Sequence, residues 1–329
     1  MTQRQASSTL GTASLTQAPL LDDLGPLPPG GRARWISADD GVRLRVAHWQ
    51  GTRGHILILP GRTEYIEKYG HVLMYLARHG WGASVIDWRG QGLSDRLFSD
   101  RLVGHVDSFA AYQRDLDAFI AAARPFADRP FAICHSMGGC IGLRGLMRGW
   151  APAAVAFSAP MWGLPVPGHM QLAARVLGRI SPLLGGATSY APGTGPDFGL
   201  RTMVFDSNVL TSDRAQFERL HTHLRLHPDL EIAGPSIGWT AAALREMAEL
   251  ARLPSPTCPA FCAVGRLEKV VSAPAIAARM ARWPLGQMHH YPRAEHEIMM
   301  ETTATREDFL ARAMTLFTHG GGTVTANDP

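Results

Sequence analysis

The chain has 329 residues, 46% of them hydrophobic and 18% charged, with a formal net charge of +4. That length supplies a large buried core without help from metals or disulfides, and the composition excludes a disordered chain. Lys and Arg are scattered instead of clustered, which excludes a nucleic-acid footprint, while a mildly basic surface still suits anionic lipid headgroups.

The first 33 residues are rich in Ser, Thr and Gln and lack a positive start followed by an apolar core, so they read as a flexible segment and not as a secretory signal. No later stretch has about 18 uninterrupted apolar residues. The expected location is therefore cytoplasmic, with peripheral contact at the inner membrane as the only membrane association. From residue 34 the pattern is regular. WISADDGVRLRVAHW predicts a hairpin turning at Asp40-Gly41, and HILILP predicts a buried strand. TEYIEKYGHVLMYLARHG follows with apolar residues at helical spacing and stops at Gly80. Strand ASVIDW, helix SFAAYQRDLDAFIAAAR, strand PFAICH, helix GGCIGLRGLMRGW and strand AAVAFSAP complete a first block, residues 34–160.

Strands that are continuous apolar runs and alternate with helices imply a mostly parallel, doubly wound α/β sheet buried on both faces. Over 161–250 the alternation fails. HMQLAARVLGRI and AQFERLHTHLRL are helical in a Pro- and Gly-rich setting, which predicts an inserted helical cap. Alternation returns over 251–318 with PAFCAVG, APAIAARMARW, QMHHYP and EDFLARAMTLFTHG, and a flexible tail is expected over 319–329. Cys134, Cys140, Cys258 and Cys262 show no C-x-x-C pairing and read as free thiols.

The chemistry is carried by Cys134-His135-Ser136-Met137-Gly138. A serine between a buried strand and a helix, with small residues two positions away on each side, has its hydroxyl lifted clear of the backbone on a sharp turn. Such a hydroxyl is a weak nucleophile until an imidazole takes its proton and a carboxylate orients that imidazole. Among 14 histidines position decides: His296 follows the last predicted strand, whereas His289 and His290 lie within it. Glu268 follows strand PAFCAVG and is the expected acid; a solvated glutamate beside Lys269 is the plainer reading, and Asp95 or Glu301 would stand in if Glu268 proves silent. The oxyanion donors are expected to be the N–H groups of Met137 and of Arg62, the latter in the Pro60-Gly61-Arg62 loop.

Asp87, Arg89 and the nearby glycines read as loop structure, and His135 as packing. Glu64, beside Arg62, also reads as loop structure. His221, His223 and His227 have mixed spacing, and His221 and His223 would not share a helix face, so no metal is expected. Met161, Trp162, Leu164, Phe205 and Trp239 are candidates to line an apolar acyl tunnel under the cap, or are simply cap core.

With these segments placed, ILPGRTEYIEKY, VIDWRGQGLSDR, GHVDSF, CHSMGG, AFSAPMWG, GRLEKVV and AEHEIMME resemble, in order, the α/β-hydrolase superfamily, within it the L2-type lysophospholipases and the monoacylglycerol lipases. The resemblance implies a serine carboxylesterase acting on single-chain lipid esters without cofactor. Three positions depart from that pattern: Cys134 and Glu268 stand where Gly and Asp are usual, and Leu59-Pro60-Gly61 where His-Gly is frequent. Short-chain esterase, thioesterase or peptidase activity on the same frame, or a non-catalytic lipid-binding role, are the alternatives. The sequence sets no oligomeric state.

Overall fold

The computed structural model describes residues 17–319. Residues 1–16 and 320–329, which fall in the two ends expected to be flexible, lie outside the described residues. From residue 17 the expectation of a flexible leader gives way: the Ala18 N–H donates to Ala33 O, the Trp49 indole to Pro28 O, Arg45 to Pro19 O and the Leu21 N–H to the Glu67 carboxylate. The partners are far along the chain, so no local pattern announces the packing.

Eight strands form one sheet in the order β1-β2-β4-β3-β5-β6-β7-β8: β1 Arg32–Ser37, β2 Arg43–Trp49, β3 Gly54–Leu59, β4 Trp81–Ile86, β5 Phe131–His135, β6 Val155–Ser158, β7 Ala260–Gly265 and β8 Gly286–Tyr291. Only β2 runs against its neighbours. The β1–β2 hairpin turns where expected, with Gly41 at φ +84°.

Period-two geometry splits β3 between two cores. Leu57 and Leu59 join a cluster with helices α2 (Ala110–Ala123) and α3 (Ser136–Met147), and Ile56 and Ile58 join one with α1 (Gly70–Arg78) and α8 (Thr303–His319). Helix α7 (Ala273–Met280) covers the first face. The stretch TEYIEKY, expected as helix, instead opens with a 3-10 turn over Ile66–Tyr69 before α1.

Between β6 and β7 lie α4 (Gly168–Ile180), α5 (Arg214–Leu226) and α6 (Ile237–Arg252) with short 3-10 turns. Asp213 caps α5 and Ser236 caps α6 by accepting first-turn N–H groups. Helix α6, which the pattern reading passes over, is buried in the core: Trp239, Ala242, Leu244, Met247 and Leu250 share the cluster of α3. Helix α4 rests on α6 at Gly178, where a Cβ would stand 2.1 Å from that of Ala241.

Candidate active site

Ser136 closes β5 and opens α3 with φ +48°, a left-handed conformation that costs a non-glycine residue about 1–3 kcal/mol. The turn is held tight from both sides. A Cβ on Gly138 would stand 2.1 Å from Leu59 O and 2.5 Å from Pro60 O, so only glycine lets α3 approach the end of β3. Cys134 fits where glycine is usual because Gly142, nearly two turns into α3, leaves its sulfur room: a Cβ there would lie 2.9 Å from Cys134 Sγ. The Met161 N–H donates to Ser136 O at 2.8 Å and anchors the turn to the strand beside it.

His296 Nε2 lies 2.9 Å from Ser136 Oγ, and His296 Nδ1 lies 2.8 Å from Glu268 Oε2. Two loops deliver the pair. Gly265 ends β7 against the histidine loop, where a Cβ would meet Ala294 O at 2.1 Å, and the Leu267 N–H donates to Ala294 O. The other Glu268 oxygen accepts the N–H groups of Val270 at 2.6 Å and Val271 at 2.9 Å. Burial works to raise the Glu268 carboxyl, but the hydrogen bond and charge of His296 and those two N–H groups outweigh it and hold it below the usual carboxylate range. An ionised Glu268 fixes the tautomer with its proton on Nδ1, leaving Nε2 free to accept from the serine.

Met137 N–H lies in the first turn of α3, where the helix offers it no acceptor. Gly61 packs directly on the nucleophile, since a Cβ there would lie 3.1 Å from Ser136 Cβ, and the next N–H, that of Arg62, has no acceptor among the described residues. Two backbone donors are thus free beside one hydroxyl. The Arg62 side chain runs under the insertion: Nη2 donates to Ala233 O at 2.7 Å, the guanidinium lies 5.3 Å from the Trp239 ring, and Nε is buried without a partner. Burial pushes its pKa down to about 10.

Three residues the sequence reading left out of the site stand behind the base. Lys68 Nζ bridges Glu64 Oε1 at 2.8 Å and Glu297 Oε1 at 2.7 Å, all three side chains buried. Their signal was the i,i+4 spacing of Glu64 and Lys68 and the adjacency of Glu297 to His296. His135, expected only to pack, donates to Ser158 O through Nδ1, has Nε2 3.7 Å from Glu64 Oε1, and sets its ring 4.9 Å from that of His296. Glu64, His135 and Glu297 have the donor spacing of a metal site, yet the Lys68 ammonium already serves both carboxylates.

Other candidates lie elsewhere. Asp87 holds its loop through Arg45 Nε and the N–H groups of Ile66 and Leu93, whereas Arg89, its expected partner, pairs with Asp115 and Asp40. Asp95 pairs with Arg43, and Glu301 accepts from Ser212 and the Glu295 N–H; neither contacts His296. The three cap histidines do not converge: His223 meets Tyr65 and Arg219, His227 meets Asp23, and His221 packs on Phe217.

Of the residues expected to line a tunnel, Met161, Trp162 and Trp239 lie in one buried core cluster with Leu164 packed against it, and Phe205 lies apart in the insertion. Trp162 meets Phe157 edge to face, stacks on Trp283 and donates to Gly139 O, inside the core with Met161, and Leu164 packs at its edge. Trp239 packs on Phe109 and donates to Tyr112, and Phe205 sits on Phe217 beneath Arg214. Indole N–H groups need acceptors when buried, and both Trp residues find theirs within the core. Near the site instead is a cavity of about 20 Å³ lined by Thr63, Tyr65, Lys68, Leu200, Leu210, Leu220, Leu224, Ile232 and Glu297. That volume holds about one water.

A family described as serine aminopeptidase, S33, matches residues 50–303. Lysophospholipase L2 of Escherichia coli K12 is 32% identical over 207 residues, covering 62% of this chain and only 59% of that protein's length. The crystal structure of Paleococcus ferrophilus monoacylglycerol lipase has a TM-score of 0.66 at 21% identity, over 84% of this chain and 99% of that one. A soluble variant of Saccharomyces cerevisiae monoglyceride lipase, crystallised with a substrate analogue, has a TM-score of 0.68 at 19% identity, over 87% and 94%. Likeness at that level establishes the α/β-hydrolase fold.

Proposed function

The chain belongs to the serine aminopeptidase S33 family of α/β-hydrolases, and on that footing we propose that it is a serine hydrolase releasing fatty acid from single-chain lipid esters, lysophospholipid or monoacylglycerol. The observation that carries the reading is the buried relay from Ser136 Oγ through His296 to Glu268. Ser136 Oγ adds to the ester carbonyl as its proton passes to His296 Nε2. The carbonyl oxygen takes the negative charge and rests on the N–H groups of Met137 and Arg62. Collapse expels the alkoxide, which receives the proton from His296, and leaves an acyl-enzyme. Water, deprotonated by the same imidazole, then releases the fatty acid and restores Ser136.

The family's description raises an aminopeptidase reading, which needs an anionic group to hold the substrate's free amine. Glu268 is engaged by His296, and Glu64 and Glu297, the two carboxylates buried behind the base, are both engaged by Lys68, so an ester without an amine suits the site better. Arg62 favours a phosphate-bearing leaving group: its guanidinium is buried, has no carboxylate partner among the described residues, and keeps an Nε free for an acceptor. Peripheral membrane contact fits the same substrate. Leu172, Val176 and Ile180 recur every four residues on an exposed face of α4 that continues to Leu183 and Leu184, and no Asp or Glu occurs between Met161 and Pro196, where Arg175 and Arg179 stand.

Comparing kcat/KM on lysophosphatidylglycerol and on a monoacylglycerol of equal chain length, for wild type and Arg62→Ala, tests the headgroup assignment. A loss on the phospholipid alone supports it, and equal proportional losses dispose of it.

A further inference from the structure

Two loops meet at one buried ammonium. The Glu64 carboxylate accepts Lys68 Nζ on one oxygen, and on the other the Gly61 N–H and the Tyr69 hydroxyl, which lies at 2.6 Å. Gly61 is the residue packed on Ser136, and its neighbour Arg62 supplies the free N–H. On its far side Lys68 donates to Glu297, whose own N–H donates to Leu210 O at 2.7 Å in the insertion. Glu297 follows His296 directly. One side chain thus links the loop of the oxyanion donor to the loop of the base.

Resting on the serine hydrolase reading above, we propose that Lys68 is a positioning residue that sets the spacing between the Arg62 N–H and His296, through Glu64 on one side and Glu297 on the other.

Stability does not account for the arrangement. A buried ion network gains back its desolvation only with good geometry, and apolar replacements of similar volume are frequently as stable or more so. Here the network is also imperfect, because Glu297 Oε2 is buried without a partner. What the three charges do supply is fixed geometry between two loops that regular secondary structure does not join: residues 60–65 and 292–297 lie outside helix and strand. A catalytic constellation depends on such geometry, since a misplacement of about 1 Å can cost about 100-fold in rate.

The experiment removes the tether without leaving a charge stranded. The triple variant Glu64→Gln/Lys68→Met/Glu297→Gln is compared with wild type for turnover of a soluble p-nitrophenyl ester, thermal midpoint, and affinity for two inhibitors. One is an alkyl trifluoromethyl ketone, to which Ser136 adds so that oxyanion donors and base are both engaged. The other is a non-hydrolysable ether analogue that engages neither. The proposal expects a folded variant with kcat down about 100-fold, KM and ether affinity nearly unchanged, and trifluoromethyl ketone affinity down in proportion to kcat. Wild-type kcat in the folded triple variant overturns it, because charge balance alone would then suffice. Should the triple variant not fold, Glu297→Gln decides: it leaves Lys68 paired with Glu64 and should lower kcat about 10-fold at constant KM, and an unchanged kcat overturns the proposal. A wild-type protein that neither turns over ester nor reacts with a fluorophosphonate removes the hydrolase reading itself, and this proposal with it.

Discussion

Replacing Glu268 by Gln changes one atom of the carboxylate and reverses the direction of the relay. The amide oxygen can still accept from the Val270 and Val271 N–H groups, which now bind Glu268 Oε1 at 2.6 and 2.9 Å. That anchorage leaves the NH₂ at the position of Oε2, 2.8 Å from His296 Nδ1. An NH₂ donates, so Nδ1 must accept, and the imidazole proton moves to Nε2, the nitrogen that faces Ser136 at 2.9 Å. A protonated Nε2 cannot take the serine proton. Every hydrogen bond remains satisfied, so stability should change by less than about 1 kcal/mol, while kcat falls about 10⁴-fold, equivalent to about 5 kcal/mol in the barrier. Steady-state hydrolysis of a p-nitrophenyl ester, with urea denaturation alongside, reads both quantities. A Gln variant keeping a tenth of wild-type kcat would refute the assignment of Glu268 as the orienting acid.

Gly138→Ala should lower kcat about 100-fold in a folded protein, because relief of the contacts with Leu59 O and Pro60 O moves the start of α3, and Met137 with it, by about 1 Å; an active Ala variant would show that the elbow tolerates the shift. Stability should fall on acidification. The unfolded chain takes up histidine protons near pH 6.5, as a rough reference, whereas burial pushes His48 down to about 3 and His55 down to about 4 in the fold, where both meet Ser84. The unfolded state therefore binds more protons in between, stability is complete above that reference pH, and about 2 kcal/mol per histidine is lost by about pH 5. Urea denaturation at the two pH values measures the drop, and a His55→Gln variant with an undiminished drop would count against this origin. Leu183→Glu/Leu184→Glu should abolish co-sedimentation with phosphatidylglycerol-rich vesicles, since each buried leucine contributes about 1.5–3 kcal/mol, and leave turnover of a soluble ester intact. Unimpaired vesicle binding would clear that face of the role.

The parallel strands and Ser136 were legible because each rests on a local pattern: a continuous apolar run such as HILIL, or a strand, a serine and two glycines in succession. His296 and Glu268 were legible by their place after predicted strands. Helix α6 was not, although Trp239, Ala242, Met247 and Leu250 have helical spacing, because Pro235 and Gly238 punctuate its start and the surrounding Pro and Gly suggested loop. The packing of the expected tunnel lining was not legible for a different reason. Trp162 and Trp239 are large apolar residues in the right segment, but segment membership does not tell which way a side chain faces, and indole acceptors in the core decided it. Nothing in the local sequence of Glu64, Lys68 and Glu297 marks them as buried. Only tertiary convergence of residues 64–68 with 297 buries them together.

The central claim is that Ser136 is a nucleophile activated by His296. Reaction of the protein with an alkyl fluorophosphonate, followed by peptide mapping by mass spectrometry, tests it most directly: the phosphonyl group should appear on Ser136 alone, and His296→Ala should abolish the labelling in a protein that remains folded. A label on another residue, or labelling of Ser136 at the wild-type rate without the imidazole, would contradict the account.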